Sequence, residues 1–276
     1  MPETVFATVG DNCIDRFLPP VGDCLVGGNA VNVAVQLSLL GRRVAYFGAV
    51  GADEAGEAVR AALVANKVGV TGMSRSRGEV TARTDIETLA DGDRRFVFES
   101  FGACATYRPG PAEIAHLRRM GHVHIGWLRG AAALRQELCT SGVVLSQDLS
   151  VNNEAEELDP AGLDIAFSSV SPERGEAESR RLLAAGAGLA VVTLGAAGSL
   201  ANDRGKILRI GARPTTVTDS TGAGDAFIAG FLDAHAKQLN LIECLNAGAE
   251  AGRLACHYRG GFPQHPLQPF VQDVDA

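Results

Sequence analysis

Short β-branched runs alternate with longer segments of helical period along most of this chain, and that rhythm leaves few folds open to it. Thr4–Gly10 and Val44–Val50 read as strands; Asn29–Leu40 and Asp53–Lys67 read as helices, the first carrying Val31, Ala34, Val35 and Leu39 on one face. Further strands are predicted at Val123–Gly126, Val143–Ser146, Ile165–Ser168 and Leu189–Leu194, with helices over Pro111–Met120 and Glu173–Ala185 between them. The last part is mainly helical, Gly222–Gln238 and Leu241–Tyr258. Strands separated by helices imply a mainly parallel sheet covered on both faces. The rhythm breaks once: Thr81–Leu89 and Arg94–Phe101 look like paired strands around the turn Ala90-Asp91-Gly92-Asp93. A hairpin inserted into an α/β domain often serves as a lid. With no low-complexity linker and no internal repeat, the 276 residues read as one α/β domain, 1–276, with a small β lid.

Composition removes several classes of function. Hydrophobic residues make up 46% and charged residues 21%, which supports a large core rather than a disordered chain. A net charge of -7 disfavours nucleic acid and an anionic membrane surface, since both are bound by Lys and Arg. A phosphate ligand stays possible, because backbone N–H groups at a helix start bind anions locally. The six cysteines, Cys13, Cys24, Cys104, Cys139, Cys244 and Cys256, show no C-x-x-C spacing and read as reduced thiols. Met1-Pro2-Glu3-Thr4-Val5 puts no basic patch before an apolar run, and no stretch reaches the ~18 apolar residues of a membrane span. The expected location is cytoplasmic.

The chemistry is concentrated in Asp219-Ser220-Thr221-Gly222-Ala223-Gly224-Asp225, which runs into the apolar helix Ala226–Leu232. Asp, Ser and Thr cap helices. Gly222, Ala223 and Gly224 let a ligand approach main-chain N–H groups that lack intrahelical partners and sit at the positive end of the helix dipole. That makes an anion hole suited to a transferring phosphoryl group. Asp225, in the first turn beside it, can accept a proton from a substrate hydroxyl. Taken alone, Gly-x-Gly also serves as a plain turn, and an Asp there as a dipole partner.

The run Asp219–Leu232 resembles the C-terminal signature of the ribokinase-like (PfkB) carbohydrate kinases. Gly27-Gly28-Asn29-Ala30-Val31-Asn32-Val33-Ala34, with Gly41 and Gly51 following, resembles their N-terminal signature, and the two occur in the family's order. The resemblance implies a three-layer sandwich with a lid contributed by about 11–25 and 81–101, and transfer of the γ-phosphoryl of ATP to a sugar hydroxyl with Mg²⁺. It makes Asp225 the base and Gly222–Gly224 the anion hole. It assigns Asp11, Asp15, Gly28, Asn29 and Asn32 to the sugar, and Thr193, Gly195, Gly198 and Asn246 to the nucleotide. On the residues alone, Asn29 is equally a helix cap and Asn32 a surface polar group. Within the family, Val9–Asp15 joined to Gly27–Asn32, and the ending His257-Tyr258-Arg259-Gly260, resemble the branch that acts on fructoselysine at its 6-position. A fructokinase or sugar-acid kinase is the alternative within the family, and a catalytically silent sugar-binding protein the alternative outside it. The intact Asp225 speaks against silence. A homodimer through the lid is a further expectation of the resemblance.

The chain departs from the family where an Asn-x-x-Glu element often helps organise Mg²⁺ through water. Here it reads Ser168-Ser169-Val170-Ser171-Pro172-Glu173-Arg174-Gly175-Glu176, leaving Ser171 in place of the Asn and Glu173 or Glu176 in place of the Glu. No residue is expected to bind a metal directly. His122-x-His124 could pair on a metal, but with no third ligand at convincing spacing the two read as core histidines. Arg94-Arg95 reads as a solvated face.

Overall fold

The computed structural model describes residues 4–88, 94–152 and 154–268; the predicted turn at Ala90–Asp93 and Met1–Glu3 lie outside them. In chain order the elements are β1 (Phe6–Val9), β2 (Cys13–Phe17), β3 (Cys24–Gly27), α1 (Asn29–Leu39), β4 (Val44–Gly51), α2 (Glu54–Ala65), β5 (Gly69–Ser76), β6 (Arg83–Thr88) and β7 (Arg94–Ser100). There follow α3 (Gly102–Thr106), α4 (Pro111–Leu117), β8 (His122–Ile125), α5 (Ala131–Leu138), β9 (Val144–Asp148), β10 (Ile165–Ser169), α6 (Gly175–Ala184) and β11 (Leu189–Thr193). The chain closes on β12 (Ser199–Asp203), β13 (Lys206–Ile210), α7 (Ala223–Ala236) and α8 (Leu241–Ala255).

Nine strands form one sheet in the order β13-β12-β11-β10-β9-β8-β1-β4-β5. It is parallel from β5 to β11 and ends in the antiparallel hairpin β12–β13. Side chains alternate across a strand, so a sheet covered on both faces needs apolar residues at successive positions. Phe6, Tyr46, Ile165 and Val191 face a core shared with α1, α2, α7 and α8. Val9, Phe47, Val123, Ile125 and Val192 face a second core that takes in Leu117 of α4, Leu134 of α5 and Leu182 of α6. The result is three layers, helix–sheet–helix.

A second sheet has four strands in the order β3-β2-β6-β7. The predicted hairpin is therefore half of a larger unit. Its other half, β2 and β3, is too short to show a strand period in the sequence. β2 runs parallel to β6, so segments on either side of α1, β4, α2 and β5 join in one sheet.

Element ends moved for local reasons. The helix expected from Asp53 starts at Glu54, because the Asp53 carboxylate accepts the Gly56 N–H at 2.8 Å as its cap. The helix expected over Glu173–Ala185 opens with a 3₁₀ turn, Pro172–Arg174, before α6. His122 and His124 are core residues that hold the Ser146 hydroxyl between them, at 2.8 and 2.9 Å. Burial keeps both imidazoles well below the usual histidine range, and therefore neutral. Among the described residues no cluster of three or more His, Cys, Asp or Glu side chains is placed to hold a metal, and no helix is long and apolar enough to cross a membrane. Arg95 lies on the solvent side and pairs with Glu87 at 2.9 Å.

Candidate active site

Parallel strands deliver their C-terminal ends to one side of a sheet, and the helices that follow start there. Here the ends of β1, β8 and β9 meet the first turns of α1 and α7. Asp11, just past β1, accepts the main-chain N–H groups of Asn29 at 2.7 Å, Ala30 at 3.1 Å and Trp127 at 3.2 Å. It thus caps α1 and ties it to the segment after β8. Gly28 precedes the helix at φ 104°, and a Cβ there would lie 2.5 Å from Asn12 Cα, so the turn demands glycine.

Asn29 and Asn32 are three apart on α1 and point the same way. Asn29 Nδ2 donates to Asp225 Oδ1 at 2.6 Å, and Asn32 Nδ2 to Asp225 Oδ2 at 2.7 Å. Asn29 Nδ2 also reaches Asp148 Oδ2 at 3.0 Å. Three carboxylates, from Asp11, Asp148 and Asp225, therefore surround one asparagine. Burial raises all three. The Asp225 carboxyl is pushed up to about 7, with the Asp148 and Asp11 charges adding to burial and the two asparagine N–H groups opposing it. Asp11 is pushed up to about 6, and Asp148 is raised despite hydrogen bonds from the Ser150 main chain and hydroxyl. Asp148 was not foreseen. The sequence signal was a carboxylate at the C-terminal end of a predicted parallel strand, which is visible only once the strand is extended from Ser146 to Asp148.

Asp15 comes to this cluster from the small sheet. It sits on β2 opposite Leu25 of β3 and accepts the Cys13 thiol at 3.1 Å. A Cβ at Gly27 would lie 2.2 Å from Asp15 Oδ2, so this carboxylate rests against the backbone that opens α1.

On the other side of Asp225 lies a groove of about 720 Å³. Thr193, Gly195 and Gly198 line one wall, and Ala223 and Gly224 of α7 the other, with Arg213 and Arg253 also on the lining. Gly198, at φ 102°, would put a Cβ 2.1 Å from the Ile210 carbonyl. Gly222, at φ 69°, is the N-cap of α7 and would put a Cβ 2.4 Å from Gly261 Cα. Gly224 differs from both: a Cβ there meets nothing within 4 Å, so its bareness serves the open groove rather than the turn. Asp219 holds the turn in place by accepting the N–H groups of Thr221 and Gly260, both at 2.9 Å. Asn246 stands apart. Its Nδ2 donates to the Ile242 carbonyl at 2.9 Å, and its Oδ1 meets the groove only through Arg213 Nη2, at 3.4 Å.

The structure separates the two acidic alternatives near β10. Glu176 is held by Arg180 and Arg209 on the outer surface. Glu173 is exposed, accepts the Ser171 hydroxyl, and is held below the usual carboxylate range by that hydrogen bond. It follows Ser169, which lines the groove.

Comparison with known proteins places this geometry among others. Residues 22–116 and 147–266 match the model of the pfkB family carbohydrate kinase. The fructoselysine 6-kinase of Shigella flexneri is 33% identical over 93% of this chain and 98% of its own length. A fructosamine kinase of Bacillus subtilis is 27% identical over 92% of this chain and 91% of its own. In fold, the Arabidopsis thaliana ribokinase solved with ribose and ATP superposes with a TM-score of 0.84 at 22% identity, covering 94% of each chain.

Proposed function

Because this chain belongs to the pfkB family of carbohydrate kinases, and is thus an ATP-dependent sugar kinase, we propose that it phosphorylates the terminal primary hydroxyl of fructoselysine or a related fructosamine. The observation that carries the mechanism is the position of Asp225, half-buried at the start of α7 between the carboxylate cluster and the open Gly224 backbone. A carboxyl at about 7 is a base matched to neutral pH.

In this reading Asp225 takes the proton of the sugar hydroxyl as its oxygen attacks the γ-phosphorus of ATP. The bond to the β,γ-bridging oxygen breaks and ADP leaves. The N–H groups at the Gly222–Gly224 turn receive the charge on the equatorial oxygens. Asn29 and Asn32 aim Asp225, and Asp11 holds Asn29 through the helix start. Asp15 and Asp148 accept sugar hydroxyls. Thr193, Gly195 and Gly198 bound the nucleotide groove, and Asn246 acts through Arg213. Magnesium, bound with ATP, would neutralise phosphate charge; Ser171 and Glu173 fit a water-mediated hold on it, whereas Glu176 is committed to its arginines.

The small sheet is the lid in this proposal. Its Asp15–Thr84–Glu99 row lies on one face across β2, β6 and β7. Asp85 and Glu87 are taken by Arg16, Arg83 and Arg95. Glu99, whose carboxyl partial burial raises, is the lid acid we assign to the substrate's amine. The edge strand β7 exposes Phe96, Val97 and Phe98, which we assign to the lid of a second copy. Sedimentation that shows a monomer, unaltered by Phe96→Glu, would remove that assignment. Free thiols throughout the described residues support a reducing, cytoplasmic location.

ADP release over a panel of sugars tests the substrate. Fructoselysine is expected to give a higher kcat/KM than fructose, ribose or 2-keto-3-deoxygluconate. A win for fructose or a sugar acid sinks the fructosamine reading and leaves the kinase standing.

A further inference from the structure

We infer that the stacked rings of Phe101 and Trp127 form the apolar wall of the sugar subsite, and that Trp127 determines which sugars are accepted there. The rings lie 3.9 Å apart between centroids, with 12° between their planes. Trp127 is the one tryptophan of the chain. Its main-chain N–H donates to Asp11 Oδ1, the oxygen that also accepts Ala30 N–H at the start of α1. Gly126 before it is so close to the cluster that a Cβ there would lie 2.7 Å from Asn29 Oδ1 and 2.9 Å from Asp11 Oδ1. The indole therefore leaves the main chain beside the asparagine and carboxylate groups that surround Asp225.

Phe101 reaches the same place from the lid. It lies two residues beyond Glu99, which shares a cross-strand row with Thr84 and Asp15. Phe101 directly follows Ser100, the last residue of β7, and with a helical backbone (φ -80°, ψ -8°) it opens α3. The stack is thus where the end of β7 meets the segment after β8, beside the Asp11 carboxylate that caps α1. Both rings are only half-buried, which leaves aromatic surface for a ligand. Carboxylates and amides can pair the hydroxyls of a sugar but do nothing for its C–H surface. An aromatic wall beside convergent polar groups supplies that contact. Trp127 also has an N–H at its edge that can read a hydroxyl.

The inference rests on the sugar lying between Asp15 and Asp225, as proposed above. A fluorescence titration tests it, since all indole emission comes from Trp127. The panel sugar with the highest kcat/KM is added to the wild-type protein without ATP, and a saturable change in emission is expected. Asp225→Asn should keep that change while losing turnover. Trp127→Ala should lower kcat/KM for the sugar by about 10–200-fold, mainly through KM, with KM for ATP unchanged. Trp127→Phe, which keeps a ring against Phe101, should recover most of the loss. If the alanine variant does not fold, Phe101→Ala opens the same wall from the lid and is read in the same way. Emission that ignores saturating sugar, together with native kcat/KM in Trp127→Ala, or in Phe101→Ala where the former does not fold, overturns the wall. Native turnover in both Asp15→Ala and Asp225→Asn overturns the placement of the sugar itself, and the wall with it.

Discussion

The two sides of Asp225 are built from different materials. On the side of the small sheet, side chains do the work: Asn29 is hydrogen-bonded to Asp11, Asp148 and Asp225, Asn32 holds the other oxygen of Asp225, and Asp15 is buried against the Gly27 backbone that leads into α1. On the groove side, the walls are largely main chain and small residues, Thr193, Gly195, Gly198, Ala223 and Gly224. The difference follows from the ligands proposed for each. A sugar is told from other sugars by the direction of its hydroxyls, which needs acceptors held at fixed angles. A triphosphate is bulky, anionic and always the same, so exposed N–H groups and empty space suffice. One side is thus an acid-rich network under electrostatic strain, and the other an open bed.

The sharpest way to break the comparison is at the atom both sides share. Asp225→Asn keeps the shape and removes the proton acceptor, and turnover should fall by about 10²–10⁴-fold with ATP affinity little changed. Turnover near the native level would take Asp225 out of the mechanism. Next comes the bed itself. Gly224→Val adds a branched side chain where there is open space, so the protein should fold normally and lose up to about 10²-fold in turnover as the phosphates are displaced. A loss of folding in that variant would contradict the free space around Gly224. Gly222→Ala is the control, because its positive φ and its contact with Gly261 make it a folding defect first.

On the network side, Asp15→Ala should raise the sugar KM by about 10–100-fold, as expected for hydrogen bonds to a charged group. ATP binding measured without sugar should stay as it was. Equal losses for both ligands would erase the division between the two sides.

The pH profile sharpens the same contrast with a smaller effect. As the base, Asp225 works only when ionised, so kcat/KM should fall as pH drops through about 7. Stability moves the other way. A carboxyl raised in the folded state binds its proton more tightly there than in the unfolded chain, so folding weakens as pH rises from the ordinary carboxylate range through about 7. Asp225→Asn should therefore melt higher than wild type at pH 8 and alike at pH 4. The buried histidines give the opposite slope: His122 and His124 stay neutral when folded, so their contribution is lost as pH falls below about 6.5. A melting profile that is flat from pH 8 to pH 5 in both proteins would show that the carboxylate network carries no such strain.

Two kinds of information meet in this protein. The sequence alone determined the alternation of strands and helices, because burial on both faces of a parallel sheet dictates apolar runs such as Val44–Val50 and Leu189–Leu194. It also determined the glycine-rich start of α7 and the Asn29–Asn32 pair, because a helix start and a three-residue spacing are local geometry that neighbouring residues specify together. The tertiary structure decided the rest. Asp148 joins Asn29 from 119 positions away, the small sheet pairs β2 with β6 across the chain, and Trp127 meets Phe101 just past the end of β7. It alone set Glu173 apart from Glu176, because only one of them has arginines waiting on the outer surface. The physical reason is the range of the interactions. Propensity, capping and period act over a few residues and are written in the local sequence. Hydrogen bonds between distant side chains, and the burial that moves a carboxyl to about 7, exist only after the sheet has brought its strand ends together.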